Sequence, residues 1–182
     1  SSTSRGLGDV YKRQLQLWIS TFLNMNLKNP LSWISLGLGS GLSPIAPGTI
    51  GSLFALLIYY FLIESLLVSW IYSAFFLLFI LLSFFVGLYI YPRTVEAEND
   101  PSSFVWDEFV GMWIACIPLP FLNPGIIWLF LAFLIFRVFD IWKPFGIKLL
   151  DKKHGAFYVM IDDVLAGFFA ALVLIFLSVI FI

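Results

Sequence analysis

Charge interrupts this sequence in few places, and its acidic clusters stand at the ends of long apolar stretches: Asp107-Glu108, Asp140 and Asp162-Asp163. A carboxylate at the centre of a membrane helix costs roughly 2.5–3.5 kcal/mol on insertion scales, so ionisable groups in or beside apolar spans point to function. The chain around them is 61% hydrophobic and 12% charged over 182 residues. Ordinary globular domains carry about 25% charged and about 45–50% apolar residues. This is the composition of an integral membrane protein, and its length suits one helical bundle.

A net charge of -1 gives no reason to expect a nucleic-acid partner. Cys116 and His154 are each the only residue of their kind, so the sequence holds neither an intramolecular disulfide nor a Cys/His zinc pattern. Residues 1–14, SSTSRGLGDVYKRQ, are polar and aperiodic. They read as a non-native or disordered tail and are set aside. Residues 15–38 mix Trp18, Phe22, Trp33 and Ile34 with Asn, Lys and Ser, the pattern of an amphipathic segment lying at the interface. Residues 39–182 are expected to form a single membrane-embedded catalytic domain.

A bilayer core takes about 20 apolar residues in a helix. After the breaker-rich stretch GSGLSPIAPGT (Gly39 to Thr49), five apolar runs follow: Ile50 to Ile63, Leu66 to Tyr91, Phe104 to Leu119, Ile126 to Trp142 and Ile161 to Ile182. The first is short and either spans or is re-entrant. The fold class expected is an all-α integral membrane protein, a compact bundle of four to five transmembrane or re-entrant helices with an N-terminal amphipathic interfacial segment. If all five runs cross, every acidic cluster falls on one face together with Arg93, Lys143, Lys148, Lys152 and Lys153. The positive-inside rule makes that face cytoplasmic.

Asp107-Glu108 and Asp162-Asp163 are expected to open their helices, each pair followed at i+3 and i+4 by small residues, Gly111 in one case and Ala166 and Gly167 in the other. Residues at those offsets share a helix face, and small residues let membrane helices approach closely. The two acidic ends can thus be drawn together, helped by the positive end of the helix macrodipole. Such a cluster needs positive charge, from Arg137, Lys143 or a divalent cation. Carboxylate oxygens without imidazole or thiolate suit Mg²⁺, Mn²⁺ or Ca²⁺. Arg137 either neutralises Asp140, three residues on, or joins Lys143 in binding phosphate. The Ser43–Thr49 loop either breaks helices, with Thr49 as a cap, or presents a helix N-terminus to an anion. His154 reads as a solvated loop histidine, with phosphate contact as the functional alternative.

Five segments, GSGLSPIAPGTIGS (Gly39–Ser52), VWDEFVGMW (Val105–Trp113), FRVFDIWKP (Phe136–Pro144), HG (His154-Gly155) and MIDDVLAG (Met160–Gly167), occur in an order that resembles the phosphatidylglycerophosphatase A family. The resemblance implies a Mg²⁺-dependent lipid phosphatase of the bacterial cytoplasmic (inner) membrane, multi-pass, with its active site on the cytoplasmic side. Its substrate would be phosphatidylglycerophosphate, dephosphorylated to phosphatidylglycerol on the route to cardiolipin. On both lines together, Asp107, Glu108, Asp162 and Asp163 are the expected Mg²⁺ ligands. Asp107, Glu108, Asp140 and Asp163 are the expected catalytic carboxylates, with Asp140 or Glu108 taking a proton from water. Arg137, Lys143, Ser43, Thr49 and His154 are the expected phosphate-binding residues. Direct attack by an aspartate stays open as an alternative, as does the oligomeric state. A competing class is a transporter or channel binding cations at these carboxylates. Such proteins place their ionisable groups near the midplane on repeated broken helices, whereas here they crowd one edge without a repeat.

Overall fold

The computed structural model describes residues 28–64, 70–95, 103–122, 125–144 and 155–181. The tail at 1–14, the first part of the amphipathic segment and His154 lie outside the described residues. Among those described there is no strand. The order is α1 (Pro30–Ser35), a 3₁₀ stretch (Gly37–Leu42), α2 (Pro47–Ile58) running into a π turn (Tyr59–Ile63), α3 (Trp70–Thr94), α4 (Trp106–Ala115), a 3₁₀ turn (Leu119–Phe121), α5 (Ile126–Trp142) and α6 (Ala156–Phe181).

Two of these helices, Ile71–Thr94 and Ala156–Phe181, are long and apolar enough to cross a bilayer. Their outer faces expose Ile71, Phe75 and Leu82 on α3 and Phe168, Leu172 and Phe176 on α6, surfaces suited to hydrocarbon. The run expected from Phe104 to Leu119 is α-helical only over Trp106–Ala115. Ten residues rise about 15 Å, half of a hydrocarbon core about 30 Å thick. Pro118 explains the stop: it has no N–H to offer the Ile114 carbonyl, which accepts instead from Ile117 N at 3.1 Å.

Two other ends differ from expectation. α3 continues past Tyr91 and through Pro92 to Thr94, where Arg93 donates to the Tyr89 carbonyl at 2.6 Å and Thr94 to that of Ile90 at 3.0 Å. α6 begins at Ala156, ahead of the expected Ile161, because Gly155 (φ 123) turns the chain and accepts from Tyr158 N at 3.0 Å. Asp162-Asp163 therefore lies beyond the first turn, and dipole stabilisation, which fades within that turn, does not hold this pair. Asp107-Glu108 does occupy the first turn of α4.

α4 is the interior element. Phe109, Val110, Met112, Trp113 and Ala115 on it are all buried. Indole N–H groups anchor it on two sides, Trp113 to the Ala55 carbonyl of α2 at 3.1 Å and Trp106 to the Ser83 carbonyl of α3 at 2.9 Å. α1 joins below, with Val105 N donating to the Ser35 carbonyl at 2.9 Å and Leu36 fully buried. α4 and α6 cross where both lack side chains: Gly167 abuts the Gly111 carbonyl, and a Cβ on Gly111 would sit 2.7 Å from the Asp163 carbonyl oxygen. No residue larger than glycine leaves room for that approach.

Candidate active site

The α4–α6 crossing sets Asp107 and Glu108 against Asp163. One carboxylate oxygen from each lies within 4.8 Å of the other two. Asp107 and Asp163 are buried, and Glu108 Oε2 is a buried oxygen with no hydrogen-bond partner. Asp140 on α5 lies within electrostatic reach of both Glu108 and Asp163. Like charges this close repel strongly in a medium of low dielectric. Cations, protons or both must accompany them.

Two protein cations do so. Arg137 forms an ion pair with Asp140 one turn along α5. Its Nη1 also donates to Ser52 Oγ at 3.3 Å, and its Nη2 to Thr49 Oγ1 at 3.2 Å, both on α2. Lys143 caps α5 in the left-handed conformation (φ 47) and places Nζ 2.6 Å from Asp162 Oδ2. Asp162 is thus held by Lys143, while staying within electrostatic reach of Asp107 and Asp163. Its Oδ1 accepts from the Asp163 backbone N–H at 3.1 Å, as Asp107 Oδ1 does from Glu108 N at 3.1 Å. Each acidic pair is thereby locked to its own helix.

The α2 N-terminus closes the site. Its N-cap is Ala46, with φ 48 and no capping side chain, so Thr49 is not the cap; its hydroxyl serves Arg137. At Gly48 an added Cβ would strike Glu108 Oε1 and lie 3.5 Å from Arg137 Nη1. Ser43 makes its hydrogen bonds within its own loop, donating to the Ile45 carbonyl at 2.8 Å. Gly48 and Ser52 belong to the site as well; both lie in the family-like segment Gly39–Ser52, but neither is among the expected site residues. The available signal was spacing, since in a helix starting at Pro47 positions 48, 49 and 52 share one face.

The donor set passes a test for a hard divalent cation. It offers three carboxylates with no nitrogen or sulfur, and one buried oxygen lacks any protein partner.

The family model for phosphatidylglycerophosphatase A matches residues 33–178, a stretch that includes every helix of the site. The chain belongs to the phosphatidylglycerophosphatase A family. It is 39% identical over 157 residues to the phosphatidylglycerophosphatase A of Escherichia coli, covering 85% of this chain and 87% of that one. Against the phosphatidylglycerophosphatase A of Haemophilus influenzae the identity is 41% over 152 residues, 82% and 89% of the two chains. A Bacteroides thetaiotaomicron protein whose name proposes a phosphatidylinositol-3-phosphatase is 38% identical over 141 residues, 75% of this chain and 86% of that one. No solved structure matches. Within this family member, the carboxylate triad, Arg137 and the α2 N-terminus form one continuous site.

Proposed function

We propose that this chain hydrolyses the terminal phosphomonoester of phosphatidylglycerophosphate, giving phosphatidylglycerol and inorganic phosphate, at the cytoplasmic face of a bacterial inner membrane. The observation that carries the reading is a buried triad of carboxylates beside an arginine, in a chain of the phosphatidylglycerophosphatase A family. Residues 39–182 act as one membrane-embedded catalytic unit, with the acyl chains left in the bilayer and the headgroup entering the site.

Asp107, Glu108 and Asp163 would hold Mg²⁺. A divalent cation so bound supplies charge neutralisation and Lewis acidity to a phosphoryl group. Arg137 presents its guanidinium to the equatorial oxygens, whose charge redistributes as the phosphoryl group transfers. Asp140 stands outside the triad and accepts the proton lost by the attacking water. As the new P–O bond forms, the ester P–O bond breaks and the glycerol oxygen leaves, taking a proton from solvent. Lys143 pairs with Asp162 and adds positive charge beside the headgroup's path.

The test is phosphate release from phosphatidylglycerophosphate by purified protein in detergent, with Mg²⁺ and with EDTA, beside phosphatidylinositol 3-phosphate as a competing substrate. Release that EDTA stops and Mg²⁺ restores supports the assignment. No release from folded protein under any metal condition refutes it, and faster turnover of the inositol lipid reassigns the substrate.

A further inference from the structure

We infer that Ser52, with Thr49, is a positioning residue whose hydroxyl fixes which edge of Arg137 is left for the substrate phosphate; this rests on the phosphatase reading above. Ser52 is fully buried, on the inner face of α2. Its hydroxyl proton is committed to the Gly48 carbonyl at 2.7 Å, so toward Arg137 Nη1, 3.3 Å away, it can only accept. Thr49 Oγ1 accepts from Nη2 at 3.2 Å, and Asp140 takes a further bond from Nη1. A guanidinium has five N–H donors in a rigid fork. Three are used here, and Nε has no partner. The donors remaining are Nε–H and the second hydrogen of Nη2. With Thr49 taking the Nη2 hydrogen on the Nη1 side, beside Ser52 one turn along α2, these two are neighbours on one edge, a geometry that meets two oxygens of a phosphate at once.

The bracket reaches the acid side of the site as well. Gly48, which receives the Ser52 hydroxyl bond, is the residue packed on Glu108 Oε1. One turn of α2 thus sets Arg137 relative to the triad. An alanine at 52 removes a single oxygen atom, leaving the backbone of the helix alone while taking away one of the three bonds that orient the guanidinium.

The experiment compares wild type with Ser52→Ala, Ser52→Thr, Thr49→Val, Arg137→Lys and the double variant S52A/R137K, all as full chains in detergent. Steady-state phosphate release from phosphatidylglycerophosphate is followed alongside ¹⁵N NMR of the arginine guanidinium groups. Loss of one hydrogen bond to a charged group predicts a fall in kcat/KM of about ten- to a hundredfold for S52A. Thr49→Val should move in the same direction, S52T should keep most activity, and S52A should add nothing in the R137K background. In the spectra, separate Nη lines of a held Arg137 should persist in S52T and merge in S52A. Equal losses in both backgrounds, or Arg137 lines unchanged by S52A, overturn the proposal. If wild type releases no phosphate, the phosphatase reading fails, while the spectra still decide whether the bracket orients Arg137.

Discussion

Gly111→Ala isolates the helix crossing on which the site depends. The new Cβ would meet the Asp163 carbonyl oxygen at 2.7 Å and Phe136 Cε2 at 2.7 Å. Carbon–carbon contacts relax at roughly 3.5 Å or more, so these neighbours must yield by roughly 0.8 Å. Phe136 is fully buried and the Asp163 carbonyl is helix backbone that cannot turn away, so α4 and α6 must part. Overpacking of this kind costs about 1–3 kcal/mol. Activity should suffer more than stability, because the carbonyl being pushed belongs to a triad residue. Misplacement by about 1 Å at a reacting centre costs roughly a hundredfold in rate, so a loss of about ten- to a hundredfold is expected. Phosphate release and thermal unfolding measured in one detergent would separate the two effects. Gly125→Ala serves as the control, since nothing lies within 4 Å of a Cβ there. Wild-type turnover and melting for Gly111→Ala would refute the claim that this close approach positions Asp163.

Two further outcomes follow from the charges. Asp163→Asn should abolish turnover while leaving the protein folded, with a melting temperature equal to or above wild type because one like charge leaves the cluster; retained activity removes Asp163 from the metal role. Lys143→Met deprives Asp162, 8% exposed at its side chain, of the ammonium 2.6 Å away, and breaking such a buried pair costs about 3–5 kcal/mol. Adding Asp162→Asn should restore the melting temperature, and activity that returns with it would show that Lys143 serves only Asp162.

The part of this site that was legible in the sequence followed from helical arithmetic. The offset from Asp107 and Glu108 to Gly111, and from Asp163 to Gly167, predicted that two helices could touch and carry their acids together, and at Gly111 and Gly167 they do. The Arg137–Asp140 pair was legible from its i,i+3 spacing and it forms, but the pairing of Lys143 with Asp162 was not legible. It depends on the rotation of α5 about its axis and on the left-handed turn at Lys143, neither of which a residue pattern encodes. Helix ends were read poorly where apolar content and backbone chemistry disagree. Hydropathy carried the third run through to Leu119, whereas the missing N–H of Pro118 ends α4 at Ala115. Conversely, the basic residues Lys148, Lys152 and Lys153 drew the loop reading on to Tyr158, whereas the apolar segment from Ala156 already belongs to the helix. The role of Ser52 is likewise not written in the residue pattern. A serine in an apolar helix is most simply explained by a bond back to its own backbone, which it does make at Gly48.

The third carboxylate of the triad arrives on α6, after every other helix of the site has been laid down. During synthesis, Asp107 and Glu108 emerge on a short helix that cannot settle against its partner until α6 has been inserted. Assembly of this carboxylate cluster therefore waits on the synthesis of α6. A nascent fragment that stops short of α6 holds only two of the three clustered carboxylates.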